Sequence, residues 1–149
     1  MVYNKFMLTK NEKETIALGK MIGEKLTKGM VLALKGDLAG GKTTFTKGIG
    51  LGLNIDDVIN SPTFNILKIY HGRYDLYHID AYRLENNDYD LGLDEYIDDV
   101  VTVIEWPDYY ANLPLEYLEI NFKYLDDETR EISFIPHGGK YQKMIEEIL

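Results

Sequence analysis

A glycine-rich segment with a fixed spacing constrains this chain more than any other feature. Residues 36–43, Gly-Asp-Leu-Ala-Gly-Gly-Lys-Thr, fit the pattern G-x-x-x-x-G-K-[ST] at every fixed position. The apolar residues 30–34 precede this segment between two glycines, which predicts a buried strand. Residues 43–47 open a predicted helix. A strand, a glycine-rich loop and a helix in this order are typical of a phosphate-binding loop, so we expect ATP or GTP binding.

The residue types of this loop suit phosphate chemistry. Glycines let the backbone fold around phosphates, so that N–H groups and the positive end of the helix point at them. Lys42 adds a point charge for the β- and γ-phosphates, and the Thr43 hydroxyl can ligate Mg²⁺. The predicted nucleotide contacts in the loop and the first helical turn are Asp37, Leu38, Ala39, Gly40, Gly41, Lys42, Thr43 and Thr44.

Length and composition predict one domain over residues 1–149, because 149 residues with 45% hydrophobic content suit a single core. No apolar stretch approaches the roughly 20 residues needed to span a bilayer, and residues 1–5 lack the order of a signal peptide. We therefore expect a cytoplasmic protein with no membrane partner. The chain has no cysteine, and its three histidines show no ligand spacing, so a metal ion would be Mg²⁺ held by oxygen.

Charge is distributed unevenly along the chain. Residues 1–50 hold nine lysines and four acidic residues, a formal charge of +5, whereas residues 51–149 hold seven basic and 21 acidic residues, a formal charge of −14. An acidic surface repels nucleic acid backbones, so the chain is a poor candidate for direct RNA or DNA binding. The alternative interpretation is that the acidic face only keeps the protein in solution.

Five further segments have strand patterns. Residues 64–70 and 74–80 predict an antiparallel hairpin beside a parallel core. The β-branched residues 100–104 predict a central parallel strand covered on both faces. Residues 118–124 and 130–135 alternate across a polar turn and predict a second hairpin.

Helices are predicted between these strands. A capping box at residues 9–12 predicts a first helix that ends near residue 28. Glycines at the end of the loop helix predict that it ends by about Leu53. Helical fragments are expected within residues 84–99, and a terminal helix over 140–149. The fold class is therefore α/β: a single-domain P-loop NTPase fold with a mixed parallel and antiparallel sheet flanked by helices.

Two acidic residues follow predicted core strands, where ligands of open α/β sheets bind. Glu105 comes directly after the 100–104 run, and Asp80 ends the 74–80 strand. A phosphate-binding loop needs a second acidic site for Mg²⁺ and a group that orients the attacking water, and both residues qualify. Thr63 is a candidate switch hydroxyl or a turn residue, and Trp106 is a candidate for packing on the nucleotide, on a partner or in the core.

Four motifs in order resemble the TsaE family, the small bacterial ATPases of tRNA threonylcarbamoyladenosine biosynthesis. They are residues 36–45, residues 61–64 (Ser-Pro-Thr-Phe), residues 78–84 (His-Ile-Asp-Ala-Tyr-Arg-Leu) and residues 103–107 (Val-Ile-Glu-Trp-Pro). The resemblance spans nearly the whole chain. It implies weak intrinsic ATPase activity and partnership with the TsaB and TsaD proteins, which modify adenosine 37 of tRNAs that read codons beginning with A.

The resemblance also implies site roles. Lys42 and neighbouring amides would bind the ATP phosphates, and Thr43 and Glu105 would ligate Mg²⁺. Asp80 would assist hydrolysis. Thr63 would belong to a mobile switch, and Trp106 would lie close to the nucleotide.

Two other functions use the same loop. A small-molecule kinase needs cationic groups that clamp the transferring phosphate, and the three arginines, Arg73, Arg83 and Arg130, are scattered. A nucleotide-dependent binding switch needs little catalysis. The presence of Asp80 and Glu105 at strand ends argues against it, because a switch does not need them. Phosphate release without an acceptor, with and without partner proteins, separates these functions.

Overall fold

One mixed sheet and four α-helices make up the part of the chain described by the computed structural model, which covers residues 5–36, 41–60, 66–81, 93–107 and 113–149. The strands are β1 (Lys5–Thr9), β2 (Val31–Gly36), β3 (Leu67–Tyr70), β4 (Leu76–Asp80), β5 (Val101–Glu105), β6 (Tyr117–Tyr124) and β7 (Arg130–His137). The helices are α1 (Glu12–Lys25), α2 (Lys42–Gly52), α3 (Leu93–Tyr96), followed by a 3-10 turn (Ile97–Asp99), and α4 (Gly139–Ile148).

The sheet order is β1-β7-β6-β2-β5-β4-β3. Strands β6, β2, β5 and β4 run parallel to their neighbours within this group, while β3 and β7 are antiparallel to β4 and β6. Both predicted hairpins and the mixed sheet are thus confirmed. The fold is the predicted α/β arrangement, with the parallel strands at its centre and antiparallel strands on both sides.

Strands β2 and β5 lie side by side in the middle of this sheet. The first four residues of β2 and all five of β5 are buried, as expected for strands covered on both faces. One face packs against α1, α2 and α4 through residues such as Leu34 and Val103. The other face packs against α3 and the 3-10 turn through residues such as Ile104. This arrangement places Gly36, the residue from which the glycine-rich loop leaves β2, in the middle of the sheet.

Helices α1 and α2 pack unusually close together through glycines. A Cβ added at Gly19 would lie 2.3 Å from the carbonyl oxygen of Phe45, and one added at Gly48 would lie 2.2 Å from that of Ile16. Helix α2 ends at Gly52 with Leu53 as its C-cap, which confirms the predicted end of the loop helix. Glycines that weaken α2 locally therefore allow its backbone to contact that of α1.

The first helix begins differently from the prediction, and a strand precedes it. Asn11, not Thr9, caps α1: its side chain accepts the Glu14 N–H at 2.9 Å. Thr9 ends β1 instead, and its hydroxyl bonds that of Thr15 at 2.7 Å. Strand β1 was not predicted because its pairing partner is β7, far along the chain.

None of the helices in the described ranges combines the length and the apolar composition that a membrane-spanning helix needs.

Candidate nucleotide site

The glycine-rich loop connects the end of β2 to the start of α2, as predicted. Gly36 has φ 136° and Gly41 has φ 98°, and both values favour glycine. A Cβ at Gly36 would also lie 2.3 Å from the Phe122 carbonyl oxygen. Two motif glycines are therefore required by the backbone itself. The loop residues Asp37, Leu38, Ala39 and Gly40 lie outside the described part of the chain, so their nucleotide contacts stay predictions.

The first turn of α2 suits an anion. Gly41 precedes the helix and supplies no capping side chain, and this turn carries no acidic residue. Helix α1 differs, because Asn11 caps it and Glu12 and Glu14 lie in its first turn. The positive end of α2 thus lacks the groups that compensate the same end of α1. Thr43 and Thr44 lie half-buried in this turn.

Lys42 is buried at the start of α2, with 3% of its surface exposed. Its Nζ donates a hydrogen bond to the Gly36 carbonyl at 2.6 Å and lies 3.8 Å from the centre of the Trp106 ring. The ammonium group is thus held between Gly36, the first glycine of the loop motif, and the indole of Trp106. A phosphate oxygen competes well for it, because hydrogen bonds between two charged groups are stronger than those to a neutral carbonyl.

The two predicted carboxylates lie on neighbouring strands at the same edge of the sheet. Asp80 pairs with Glu105 between β4 and β5, and Glu105 also pairs with Leu34 of β2. Side chains alternate along a strand, so both carboxylates share the sheet face of Val103, which is the face covered by α2. Glu105 is 4% exposed and Asp80 is half-buried. The structure thus brings both residues to the edge from which the loop leaves β2.

His78 is a third polar residue at this edge of the sheet, and the sequence analysis did not select it. The His78 Nε2 atom lies 2.5 Å from Oε2 of Glu105, and the His78 side chain is fully buried. The available signal was the strand period: His78 precedes Asp80 by two residues and therefore lies on the same face. Its contact with Glu105 depends on the register between β4 and β5, which the sequence pattern does not give.

Trp106 turns the chain sharply at the end of β5. Its φ is 61°, in the left-handed region that non-glycine residues rarely adopt, and its N–H donates to the Leu34 carbonyl at 3.1 Å. This turn places the indole against Lys42. Trp106 therefore contacts the loop lysine, and its place beside the nucleotide stays a prediction. Thr63 lies outside the described residues, and its switch role stays a prediction.

A cavity of about 300 Å³ adjoins the first turn of α2. Its walls come from α1, from the start of α2 and from the turn between β6 and β7: Glu12, Thr15, Gly41, Thr44, Asp127, Glu128 and Arg130. Hydrogen bonds within the turn hold its backbone, because the Asp126 carboxylate accepts the N–H groups of Glu128 and Thr129. These bonds lower the pKa of Asp126. Sequence analysis did not assign this hairpin turn to the site.

The available donor set fits Mg²⁺. The Thr43 hydroxyl and the carboxylates of Glu105 and Asp80 are hard oxygen ligands of the kind that Mg²⁺ prefers. Within the described ranges, no three His, Cys, Asp or Glu side chains gather into a metal cage. Mg²⁺ in nucleotide sites commonly uses one or two carboxylates together with phosphate oxygens, so such a cage is not needed.

Comparisons with known proteins agree with this geometry. Residues 9–132 match the family described as Threonylcarbamoyl adenosine biosynthesis protein TsaE. The chain is 46% identical over 143 residues to the tRNA threonylcarbamoyladenosine biosynthesis protein TsaE of Bacillus subtilis (strain 168), an alignment that covers 94% of this chain and 90% of that protein. It is 42% identical over 130 residues to the protein of the same name from Treponema pallidum (strain Nichols), with 85% and 96% covered.

A solved structure has the same fold. The crystal structure of YdiB from Bacillus subtilis superposes with a TM-score of 0.86 at 40% sequence identity. The superposition covers 99% of this chain and 95% of that one. The whole sheet, including the unexpected β1 edge, therefore lies within the matched region.

Proposed function

Because this chain belongs to the TsaE family, we propose that it is a Mg²⁺-dependent ATPase of tRNA threonylcarbamoyladenosine biosynthesis. In this proposal its intrinsic activity is weak, and it acts with the TsaB and TsaD proteins on adenosine 37 of tRNAs that read codons beginning with A. The relatives named above are tRNA threonylcarbamoyladenosine biosynthesis proteins, which supports the pathway. The geometry of the candidate site supports the proposed ATP hydrolysis.

One observation carries the ATPase proposal. The buried ammonium group of Lys42 contacts Trp106, the residue directly after Glu105. The phosphate-binding loop and the acidic sheet edge are therefore parts of one site. Loop, lysine and strand-end carboxylate are the groups that phosphoryl transfer requires, since its catalysis is mostly positioning and charge stabilisation.

Each group has a defined task in this proposal. Lys42 and the first-turn amides of α2 bind the phosphates, and the cavity beside Thr44 receives the nucleoside. Thr43 and Glu105 hold Mg²⁺, which neutralises phosphate charge when it is bound. Asp80, next to Glu105 in the sheet, orients the attacking water.

The kinase alternative is not favoured by the described arginines. The Arg73 guanidinium donates to the carbonyls of Gly23 at 2.9 Å and Leu26 at 3.1 Å, at the end of α1. The Arg130 guanidinium donates to the carbonyls of Asp126 and Thr129 in the hairpin turn. Both side chains thus stabilise local structure. Arg83 lies outside the described residues.

Phosphate release from ATP, measured with no acceptor present, tests the ATPase proposal. We expect slow Mg²⁺-dependent release by the isolated chain and a changed rate when TsaB and TsaD are added. Asp80→Ala should lower the rate at saturating Mg²⁺ by about 100-fold, the lower end of general base catalysis. Glu105→Ala should raise the Mg²⁺ concentration needed for half-maximal rate.

Glu119→Ala is the matched control. Glu119 is a partly buried carboxylate in the same sheet, on the opposite face from Glu105, and it bonds His137 at 3.1 Å. We expect wild-type hydrolysis from this variant. If Asp80→Ala and Glu105→Ala also hydrolyse ATP at the wild-type rate, the acidic sheet edge is not the catalytic site.

The proposed route to tRNA is through protein partners. Residues 51–149 carry a formal charge of −14, which disfavours contact with an RNA backbone. Four exposed acids lie on α3 and the 3-10 turn, Asp94, Glu95, Asp98 and Asp99. Basic patches on a partner would be steered towards them, and salt would weaken that attraction.

Pull-downs with TsaB and TsaD at low and high salt test this route, together with RNA gel shifts of the isolated chain. We expect salt-sensitive capture and no tRNA shift. Tight tRNA binding by the chain alone would overturn the indirect route. Lysine substitutions at the four acids should weaken capture while hydrolysis by the isolated chain is unchanged; capture equal to wild type would exclude this face.

A further inference from the structure

His78 is a buried polar side chain in a strand that is otherwise built for the core. Its exposed surface is 0%, and its neighbours Leu76 and Ile79 are also fully buried. Burial of an imidazole removes its hydrogen bonds to water, which is unfavourable unless a protein group replaces them. An apolar residue at this position would avoid that cost. The contact that His78 makes therefore needs an explanation.

That contact uses one ring nitrogen. The 2.5 Å distance joins Nε2 to Oε2 of Glu105, and an ionised carboxylate only accepts hydrogen bonds, so Nε2 carries the proton and donates. The other nitrogen, Nδ1, has no hydrogen-bond partner among the described residues. The ring thus donates its N–H to Glu105, and its other nitrogen has no hydrogen-bond partner among the described residues. This contact therefore fixes the carboxylate of Glu105 but leaves one polar atom of His78 without a hydrogen bond.

The strand register explains how the ring reaches this carboxylate. His78 pairs with Val103, and Asp80 pairs with Glu105, so His78 and Glu105 are diagonal neighbours on one face of the sheet. The two side chains are almost completely buried, at 0% and 6% exposure. A long glutamate side chain has several rotamers, and a buried hydrogen bond to a ring fixed in a strand selects one of them.

We propose that His78 is a positioning residue for the metal site: its Nε2–H holds Oε2 of Glu105, so that Oε1 remains available to the Mg²⁺ that Thr43 and Glu105 would hold. This inference rests on the proposed metal role of Glu105. Groups that hydrogen-bond to metal ligands orient them, and their loss commonly weakens metal binding by about 10- to 100-fold. His78 itself contacts neither the metal nor the nucleotide.

Two amide substitutions separate positioning from simple filling of space. The amide nitrogen of His78→Gln reaches about as far as Nε2 and can donate to Glu105, whereas the amide of His78→Asn is one methylene shorter. Both replace the ring with a buried polar group. His78→Leu, which has no donor, is the third variant. His137→Leu is the control, because it removes the other histidine–glutamate contact of the sheet, 3.1 Å from Glu119.

The main measurement is calorimetric titration of Mg²⁺ into each variant saturated with ADP. We expect His78→Asn and His78→Leu to weaken Mg²⁺ binding by about 10- to 100-fold, as loss of an orienting group does. His78→Gln should recover most of the wild-type affinity, and His137→Leu should equal wild type. ADP affinity in EDTA should be unchanged in all four. Thermal unfolding checks that each variant is folded at the titration temperature.

The outcomes distinguish this inference from the proposed function. Wild-type Mg²⁺ affinity in folded His78→Asn, or equal loss in His78→Asn and His78→Gln, would overturn the positioning role. If His78→Leu does not fold, the two amide variants still decide. If Glu105→Ala leaves Mg²⁺ binding unchanged in the same titration, the metal role proposed for Glu105 fails instead.

Discussion

The Nζ atom of Lys42 lies 3.8 Å from the centre of the Trp106 ring and donates to the Gly36 carbonyl at 2.6 Å. A cation over an indole ring is attracted by the electron density of the ring face. Phosphates that draw Lys42 towards them would therefore change the environment of the indole. Because Trp106 is the single tryptophan of the chain, tryptophan fluorescence reports on the surroundings of this one residue.

The first prediction concerns this contact. ATP should change Trp106 emission in the wild type, and Lys42→Ala should weaken ATP binding by about 100-fold, because a hydrogen bond to a charged group contributes up to about 3 kcal/mol. Fluorescence titration measures both effects. Lys47→Ala is the control, since Lys47 lies further along the same helix and outside the loop. An unchanged titration in folded Lys42→Ala would remove Lys42 from phosphate binding.

The second prediction concerns the backbone of Trp106. At φ 61° a glycine is unstrained, whereas alanine keeps the cost of the left-handed conformation. Both substitutions remove the indole equally. We therefore expect Trp106→Gly to have a free energy of unfolding about 1 kcal/mol higher than Trp106→Ala. Urea unfolding measures the difference, and an alanine variant as stable as the glycine variant would show that this turn relaxes.

The central strands were predictable because their signals are local. Residues 30–34 and 100–104 are continuous apolar runs of the kind that parallel strands need on both faces, and β2 and β5 lie there. Strand β1 has no such signal. Phe6 and Leu8 are 65% and 50% exposed, so no buried face imposes an alternating pattern. Its existence depends on backbone pairing with β7, which is a contact between distant segments.

The same distinction applies to the candidate site. Lys42 and Thr43 could be identified from a fixed motif, and Asp80 and Glu105 from their positions at strand ends. The contact of His78 with Glu105 depends on how β4 aligns with β5, and the wall formed by Arg130 depends on the turn between β6 and β7. Strand register is set by tertiary packing, so neither the His78–Glu105 contact nor the Arg130 wall can be predicted from one sequence alone.

The third prediction concerns the first glycine of the loop motif. Gly36→Ala would place a Cβ 2.3 Å from the Phe122 carbonyl oxygen at φ 136°, so both sterics and backbone strain oppose it. We expect a loss of about 3 kcal/mol or more in the free energy of unfolding. Gly139→Ala is the control, because a Cβ there meets no atom within 4 Å at the start of α4. It should stabilise the protein slightly, by about 0.5 kcal/mol.

Urea unfolding of both variants measures this difference. A Gly36→Ala variant within about 1 kcal/mol of wild type would mean that β6 moves away from β2 at a smaller cost than overpacking usually has. In that case the requirement for glycine would lie only in the nucleotide contacts of the loop. Nucleotide binding by the same variant then distinguishes a structural role from a binding role.

The last prediction concerns pH and the anchor between α4 and β2. The fully buried Tyr141 hydroxyl accepts the Val31 N–H at 2.8 Å. Burial raises the pKa of the Tyr141 phenol, and the hydrogen bond from Val31 partly opposes this. At neutral pH, Tyr141→Phe leaves the Val31 N–H buried without an acceptor, so we expect a loss of about 1–3 kcal/mol in the free energy of unfolding.

The sign of the pH effect follows from the raised pKa. Below pH 10 the phenol is protonated in both the folded and unfolded states, so its contribution is fully present. As the pH rises above 10, the unfolded phenol ionises while the buried one stays protonated, and stability falls until the folded phenol also ionises. Phenylalanine has no such group, so the stability difference between wild type and Tyr141→Phe should be constant from pH 7 to 9 and shrink above about pH 10. Urea unfolding across this range measures it, and a constant difference up to pH 11 would show that Tyr141 ionises equally in both states.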